Sequence, residues 1–278
     1  MSDAQDVRED TCLADYDARI ESVLARSDLR REVGRIKPPA GRFMREETGV
    51  WEPLEHPGYT IITPPFEDEG EAVNVKTYAR LGDVQQFILE NLGLAQYAPA
   101  PITSLHLTVA DLVAGGRYKE RVAGAREEEL RAELASCLAE FERQGTIYMH
   151  VVGVSVFAAG FVIALLGFRD EPGYRRLMSF RDSLYEHAGL KGLGVERTFK
   201  FAGHITLAYA EGELGASGRS RLARTLIDVK DRYFAQPLLF NVTKAQVVKF
   251  DHLSRFYRKQ GWPVLEFASH QVDQKESR

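Results

Sequence analysis

The chain has 278 residues, of which 44% are hydrophobic and 27% charged, with a formal net charge of −4 and a pI near 6.0. This length allows one large domain or two closely packed lobes. The acidic balance argues against a protein that coats long nucleic acid, which would need a strongly basic face. A nucleotide or a short RNA end remains compatible, because a local positive pocket is sufficient to bind it.

The cysteine content and the hydropathy pattern predict where in the cell the protein is found. No apolar run reaches the roughly 20 residues that a membrane-spanning helix needs. The acidic first residues lack the basic start and apolar core of a secretory signal. Cys12 and Cys137 are the only cysteines, and neither has a histidine at metal-ligand spacing. We therefore expect a monomer in the reducing cytoplasm, with no disulfide, metal, cofactor or membrane partner.

The first half of the chain contains signals for helices followed by short strands. The charged segment 1–35 predicts one or two short helices packed on the main body, because apolar residues recur at helical intervals: Leu13, Ile20, Leu24 and Leu29. Residues 58–63 are rich in β-formers and are closed by two prolines, which predicts a strand. Asp83 is the predicted N-cap of a helix that ends at Gly93. Polar and apolar residues alternate over 104–110, which predicts a short strand.

A long helix and a hairpin are predicted next. The helix places a set of apolar residues on one face, opposite arginine and glutamate: Leu130, Leu134, Leu138 and Phe141. Residues 146–157 and 161–168 flank Ala-Ala-Gly and predict a β-hairpin.

Two further helices alternate with strands in the last part of the chain. Asp170 is the predicted cap of a helix whose inward residues are Tyr174, Leu177, Leu184 and Ala188. Residues 204–210 predict a strand, and a helix from Ser220 follows, with Leu222, Leu226, Val229 and Tyr233 on one face. Residues 238–250 predict a single final strand of good β-propensity.

A weak internal repeat relates two of these strands. Residues 105–110 read Leu-His-Leu-Thr-Val-Ala, and residues 203–208 read Gly-His-Ile-Thr-Leu-Ala. Each copy precedes a loop and an amphipathic helix. Two copies of a small α+β unit, about 98 residues apart, predict a pseudo-symmetric pair of lobes within one domain.

The repeated strands carry the residues that we expect to be catalytic. Residues i and i+2 of a strand share a face, so His106 lies beside Thr108, and His204 lies beside Thr206. Chance would give a His-x-Thr sequence about 0.3 times in this composition, so two copies in equivalent contexts form a specific signal. Two half-buried structural histidines are the weaker interpretation.

These residue types suit the hydrolysis of a phosphodiester. A histidine has an unperturbed pKa near 6.5, so one imidazole can be neutral and the other protonated at physiological pH. The neutral one takes a proton from water, and the imidazolium donates a proton to the departing oxygen. The two threonine hydroxyls can bind the non-bridging phosphate oxygens. The pseudo-symmetry leaves open which histidine is the base.

These motifs resemble those of the 2H phosphoesterase superfamily, which is named for its two His-x-Thr/Ser motifs and includes RNA 2′,3′-cyclic phosphodiesterases. Leu-His-Leu-Thr-Val at 105–109 and His-Ile-Thr-Leu at 204–207 match without departure. The resemblance implies a bilobal, pseudo-twofold-symmetric α+β fold, with antiparallel sheets lining a central cleft and helices outside. It implies metal-independent cleavage of a cyclic phosphate on a nucleotide or RNA end.

The resemblance also suggests how the chain divides. It covers roughly residues 58–250, the expected two-lobed catalytic domain. Residues 1–57 are then an N-terminal extension that either covers the cleft as a lid or braces the fold. Residues 251–278 are expected to be a C-terminal tail.

Four further residues are candidates for substrate binding. Arg197 and Lys200 precede His204 and could reach a phosphate, although a solvated surface charge is the commoner role. Tyr59 and Tyr209 could stack on a nucleobase, although packing in the core is the commoner role of any one tyrosine.

Two other functions remain open at this stage. One is the reverse reaction, RNA-end ligation, which would use the same groups. The other is a non-catalytic module that binds a cyclic nucleotide or an oligonucleotide, although such a module does not need two titrating groups.

Overall fold

The computed structural model describes residues 7–140 and 145–267 as an α+β protein with antiparallel sheets. The helices are α1 (Leu13–Leu24), α2 (Arg26–Arg35), α3 (Ala72–Leu92), α4 (Gly115–Arg121), α5 (Arg126–Glu140), α6 (Glu171–Glu186), α7 (Ala188–Gly192) and α8 (Ala216–Tyr233). The strands are β1 (Phe43–Arg45), β2 (Trp51–Pro53), β3 (Gly58–Ile62), β4 (Tyr97–Pro99), β5 (Thr108–Ala114), β6 (Ile147–Val156), β7 (Phe161–Phe168), β8 (His204–Ala210), β9 (Leu238–Val242), β10 (Lys244–His252), β11 (Arg255–Tyr257) and β12 (Val264–Glu266).

Two five-stranded sheets carry one motif each, which confirms the predicted fold class. The first-motif sheet has the order β11-β10-β3-β5, with β12 also paired to β10. The second-motif sheet has the order β4-β8-β7-β6-β9. Every pairing in both sheets is antiparallel. A separate two-stranded sheet is formed by β1 and β2.

The strand register repeats between the two sheets around each motif threonine. Directly paired residues of an antiparallel sheet lie on the same face. The rows that start at the two threonines are Thr108–Ile62–Gln246 and Thr206–Ile163–Ser155. Each row runs threonine, isoleucine, then a polar residue. The pseudo-symmetry of the sequence therefore extends two strands beyond the motifs.

Helices cover the second-motif sheet and form much of the core. Helix α3 contacts α8 and strands β4, β8 and β9, and its side chains Tyr78, Leu81 and Ile88 are fully buried. Helices α1 and α2 both contact β6, and α1 also contacts β7 and α6. No helix of the described ranges is long and apolar enough to cross a membrane.

Several predicted elements are confirmed. The N-terminal segment forms two short helices, α1 and α2, and the predicted hairpin is β6–β7. The side chain of Asp170 accepts a hydrogen bond from the Gly173 N–H and caps α6 as predicted. Strand β8 spans the predicted residues 204–210.

Helix α3 begins eleven residues before the predicted cap. Its first turn is capped by the Glu71 side chain, which accepts from the Val73 N–H, and Gly93 ends it at φ +84°. Asp83 lies within the helix, exposed, where it forms an ion pair with Arg80 one turn earlier. An ion pair between arginine and aspartate at i,i+3 stabilises the surface of a helix. Asp83 is therefore an interior residue of α3 and not its N-cap.

The strand of the first motif was predicted too early. Strand β5 begins at Thr108, and a 3₁₀ turn occupies Ile102–Ser104, so His106 lies in the extended segment between them. The partner strand β3 ends because Pro64 and Pro65 have no N–H to donate to the ladder. The Leu107 carbonyl still accepts from the Thr63 N–H at 3.0 Å. His106 therefore continues the direction of the strand without being part of its regular ladder.

The predicted strand 238–250 is two strands in different sheets. β9 belongs to the second-motif sheet and β10 to the first-motif sheet, with Thr243 alone between them. The segment 251–278, predicted as a tail, contributes β11 and β12, which both pair with β10. A continuous β-forming sequence does not reveal where the chain changes sheet.

Three smaller predictions also differ. Helix α8 begins at Ala216, four residues before the predicted Ser220. Ala188 is exposed and starts the separate helix α7, because α6 ends at Glu186. The predicted inward residues of α5 are buried, except that Phe141 lies outside the described residues.

Candidate active site

The two motif histidines are held by the same local hydrogen bond. His106 Nδ1 lies 2.7 Å from the Ser104 carbonyl oxygen, and His204 Nδ1 lies 2.7 Å from the Ala202 carbonyl oxygen. A carbonyl oxygen only accepts, so Nδ1 carries the proton in both rings. In the neutral imidazole this leaves the Nε2 lone pair of each histidine available for chemistry.

A phenylalanine packs against each imidazole in an edge-to-face arrangement. The ring of Phe256 lies 4.3 Å from the His106 ring, and the ring of Phe157 lies 4.8 Å from the His204 ring. Sequence reasoning did not identify either residue. Phe256 lies in the segment that was predicted as a tail, and Phe157 ends a hairpin strand, so neither had a motif to mark it.

Burial lowers the pKa of His106 to about 4. The hydrogen bond to Ser104 opposes this shift, and the positive charge of a protonated His204 adds to it. The protonation of one ring thus affects the other. This interaction between the two imidazoles weakens with distance, and a shared site for the two motifs stays a prediction.

His204 differs from His106 in having a nearby carboxylate. Burial lowers the pKa of His204, while the hydrogen bond to Ala202 and the negative charge of Asp111 raise it. Asp111 is exposed on β5, three residues after Thr108. Asp111 therefore acts against the effect of burial at His204, an asymmetry that the matching motifs do not reveal.

Burial acts on the protonation state of both histidines. It lowers both pKa values and favours neutral rings, whereas the acid–base pair predicted from the sequence uses one neutral and one protonated ring. An anionic phosphodiester between the rings would favour the charged form and oppose the effect of burial.

The threonine hydroxyls are available to bind a ligand. Thr108 and Thr206 are both half-buried, and neither hydroxyl hydrogen-bonds to another residue within 7–140 and 145–267. On the same row as Thr108, Gln246 places a buried side-chain amide two strands away. Sequence reasoning did not identify Gln246, because only the strand register relates it to the motif.

Arg197 and Lys200, predicted to reach a phosphate, are already paired with carboxylates. The Lys200 ammonium lies 2.9 Å from Asp10 Oδ1. The Arg197 guanidinium donates to Asp182 and lies 3.6 Å from Glu9. Both cations therefore form ion pairs, Lys200 with the N-terminal segment and Arg197 with the N-terminal segment and α6.

Tyr59 and Tyr209, predicted as candidates for base stacking, are core residues with 1% and 4% of their surface exposed. The Tyr59 hydroxyl donates to Glu127 at 2.7 Å. The Tyr209 ring packs 5.0 Å from Phe43 and 5.1 Å from Phe161. Neither ring can stack on a base without leaving the core, so the packing interpretation holds for both.

Metal ligands and thiols are not clustered in the part of the chain that the structure describes. Within it, no three His, Cys, Asp or Glu side chains are grouped closely enough to hold a metal ion. Cys12, which is half-buried, and Cys137, which is buried, are both in the thiol form.

Comparison with known proteins gives structural neighbours only, since no family model and no curated protein matches the chain. The conserved protein of unknown function ATU0111 from Agrobacterium tumefaciens str. C58 superposes with a TM-score of 0.55 at 18% identity, over 84% of this chain and 94% of that one. This likeness shows a shared fold.

Two other solved structures overlap less closely. TT0787 of Thermus thermophilus has a TM-score of 0.47 at 17% identity, over 76% of this chain and 98% of that one. E. coli LigT complexed with 3′-AMP has a TM-score of 0.43 at 17% identity, over 73% and 94%. At this level of overlap neither adds an argument about function.

Proposed function

We propose that the chain is a metal-independent phosphodiesterase of the 2H type that hydrolyses a cyclic phosphate, either a 2′,3′-cyclic nucleotide or the end of a short RNA. One observation carries the proposal. Two histidines in matching His-x-Thr motifs are both held in the tautomer that leaves Nε2 free, and each lies two residues from a threonine whose hydroxyl has no hydrogen-bond partner among the described residues. This set supplies a proton acceptor, a proton donor and two phosphate ligands.

The asymmetry around Asp111 suggests which histidine is the base. His106, with its pKa lowered to about 4, is neutral and takes the proton from the attacking water through Nε2. The water oxygen forms a bond to phosphorus, and the bond from phosphorus to the 2′ or 3′ oxygen breaks. His204, whose protonated form Asp111 favours, donates the proton to that departing oxygen. Thr108 and Thr206 hydrogen-bond the non-bridging oxygens as their charge increases.

We assign the catalytic unit to the two lobes within residues 58–250, acting as a monomer, with residues 1–57 as an extension packed against them. Support comes from the two sheets, each of which contributes one motif, and from the repeated threonine rows. Phe256 lies beyond this unit and contacts His106, so the segment after residue 250 also reaches the proposed site.

Turnover of the four nucleoside 2′,3′-cyclic monophosphates in EDTA tests the proposal. We expect the wild type to hydrolyse at least one of them, and His106→Ala and His204→Ala each to lower kcat by about 10²- to 10⁴-fold. His150→Ala is the matched control, since His150 is another half-buried histidine in a sheet with a pKa lowered by burial. The position of the remaining phosphate on the product identifies the bond that breaks.

Other outcomes would favour the alternatives. Full turnover in both single variants, with the fold intact, would eliminate the two-histidine mechanism. Tight binding of a cyclic nucleotide without any product would indicate a binding module. A joined product from paired RNA ends would indicate ligation.

A further inference from the structure

The short segment before His204 is held by hydrogen bonds on several of its backbone groups. Phe201, Ala202 and Gly203 form the approach to β8, and the Ala202 carbonyl accepts the Nδ1 proton of His204. The Gly203 carbonyl accepts from the Leu166 N–H at 2.8 Å, next to the pairing of β7 with β8. The position of this segment therefore decides the direction in which His204 Nε2 points.

Three side chains of the N-terminal segment hold the flanking groups. Glu9 Oε2 accepts from the Phe201 N–H at 2.6 Å, and Arg19 donates to the Phe201 carbonyl at 2.5 Å. The Tyr16 hydroxyl accepts from the Gly203 N–H at 3.1 Å and donates to a β7 carbonyl. Both polar groups of Phe201 and the N–H of Gly203 are therefore held by residues 9–19.

One of these side chains also reaches the strand of the first motif. Glu9 forms an ion pair with Arg181 at 2.9 Å, and both side chains are buried, with 7% and 5% of their surface exposed. Arg181 in turn donates to the Val109 carbonyl at 2.7 Å, directly after Thr108. A single buried carboxylate thus connects the supports of both motifs.

We propose that Glu9, Tyr16 and Arg19 are positioning residues for His204, holding the 201–203 segment so that Ala202 fixes the tautomer and direction of the imidazole. The proposal rests on the proposed function of His204. It assigns the N-terminal extension to bracing of the active site, because its contacts lie on the peptide groups that precede the histidine. A displacement of a reacting group by about 1 Å can cost as much as 10²-fold in rate, so these distant contacts affect chemistry.

Tyr16→Phe is the most direct test, because it removes one hydroxyl and keeps the buried ring. Arg19→Gln is a second test at a side chain that is 30% exposed, and its Asp10 partner keeps the ion pair with Lys200. Tyr118→Phe is the matched control: Tyr118 is also a buried tyrosine, and its hydroxyl donates to Glu127 rather than to residues 201–203. We expect Tyr16→Phe and Arg19→Gln to lower kcat about 3- to 30-fold with little change in KM, and Tyr118→Phe to leave both unchanged.

Imidazole ¹⁵N NMR supplies a measurement that does not depend on turnover. In the wild type, His106 and His204 should both show the Nδ1–H tautomer. In Tyr16→Phe we expect His204 to show a mixture of tautomers while His106 is unchanged. Unaltered His204 signals in both Tyr16→Phe and Arg19→Gln, or equal kcat losses in Tyr16→Phe and Tyr118→Phe, would overturn the proposal. If the wild type hydrolysed no cyclic phosphate, the proposed function would fail, while the ¹⁵N comparison would still decide the positioning.

Discussion

The two motifs hold their histidines by the same bond but support the accepting carbonyl in different ways. Ser104 is anchored locally, since both its N–H and its hydroxyl donate to the Pro101 carbonyl, at 3.0 and 2.9 Å. The segment around Ala202 is anchored by Glu9, Tyr16 and Arg19, which lie more than 180 residues earlier in the chain.

This difference predicts that the two matching motifs differ in local stability. A 3₁₀ turn that bonds within itself forms whenever its own residues adopt that conformation. Long-range contacts form only when the N-terminal segment has docked. Pseudo-symmetry in the sequence therefore extends to the reacting groups and the threonine rows, and it ends at the elements that orient them.

Among variants that keep both histidines, the largest effect is expected at the threonines, and it tests whether the two lobes act on one phosphate. Thr108→Val and Thr206→Val each remove a hydrogen-bond donor and keep the shape, so each should lower kcat about 10²-fold. Thr→Ser at the same positions restores the hydroxyl and should recover most of the rate. Comparable losses in the two variants would support a shared phosphate. Full turnover in one Val variant would show that only one lobe binds it.

A smaller effect is expected at Asp111, which makes the two histidines unequal. Asp111→Asn removes the charge that raises the pKa of His204, so the alkaline limb of the kcat/KM profile should move to lower pH and the rate above that limb should fall several-fold. Asp83→Asn, at an exposed aspartate on α3, is the control. An unchanged alkaline limb in Asp111→Asn would remove the basis for assigning His204 as the acid.

The smallest effect concerns stability and requires no turnover. Between pH 6.5 and about 4 the unfolded chain binds a proton at His106 that the folded chain does not, so the free energy of unfolding should decrease as pH falls through this window. His106→Gln should lose part of this dependence. His204→Gln should also lose part of it, because burial lowers the pKa of His204 as well. Chemical denaturation at several pH values measures the free energy of unfolding. The same dependence on pH in the wild type and in His106→Gln would contradict the expectation.

The sequence predicted the elements whose signals are local. Asp170 capped α6 as expected, because a cap needs only its own first turn. The two His-x-Thr pairs were found because a period of two fixes their relative direction. Phe256 and Asp111 were missed because neither belongs to a motif, although Phe256 contacts His106 and Asp111 acts on His204. Gln246 was missed because only the strand register relates it to Thr108. Tyr59 was proposed for stacking and lies in the core, because residue type alone does not tell which face of a sheet is buried.

The connection between β9 and β10 limits how the two lobes can move. Thr243 alone joins the last strand of one sheet to a central strand of the other, and its carbonyl also accepts from the Phe267 N–H at 2.8 Å. Two Cα–Cα steps span only about 7.6 Å, so the strand ends cannot separate by translation. Any opening between the sheets is then a rotation pivoted at this residue, with the smallest displacement beside the pivot and the largest at the far rim.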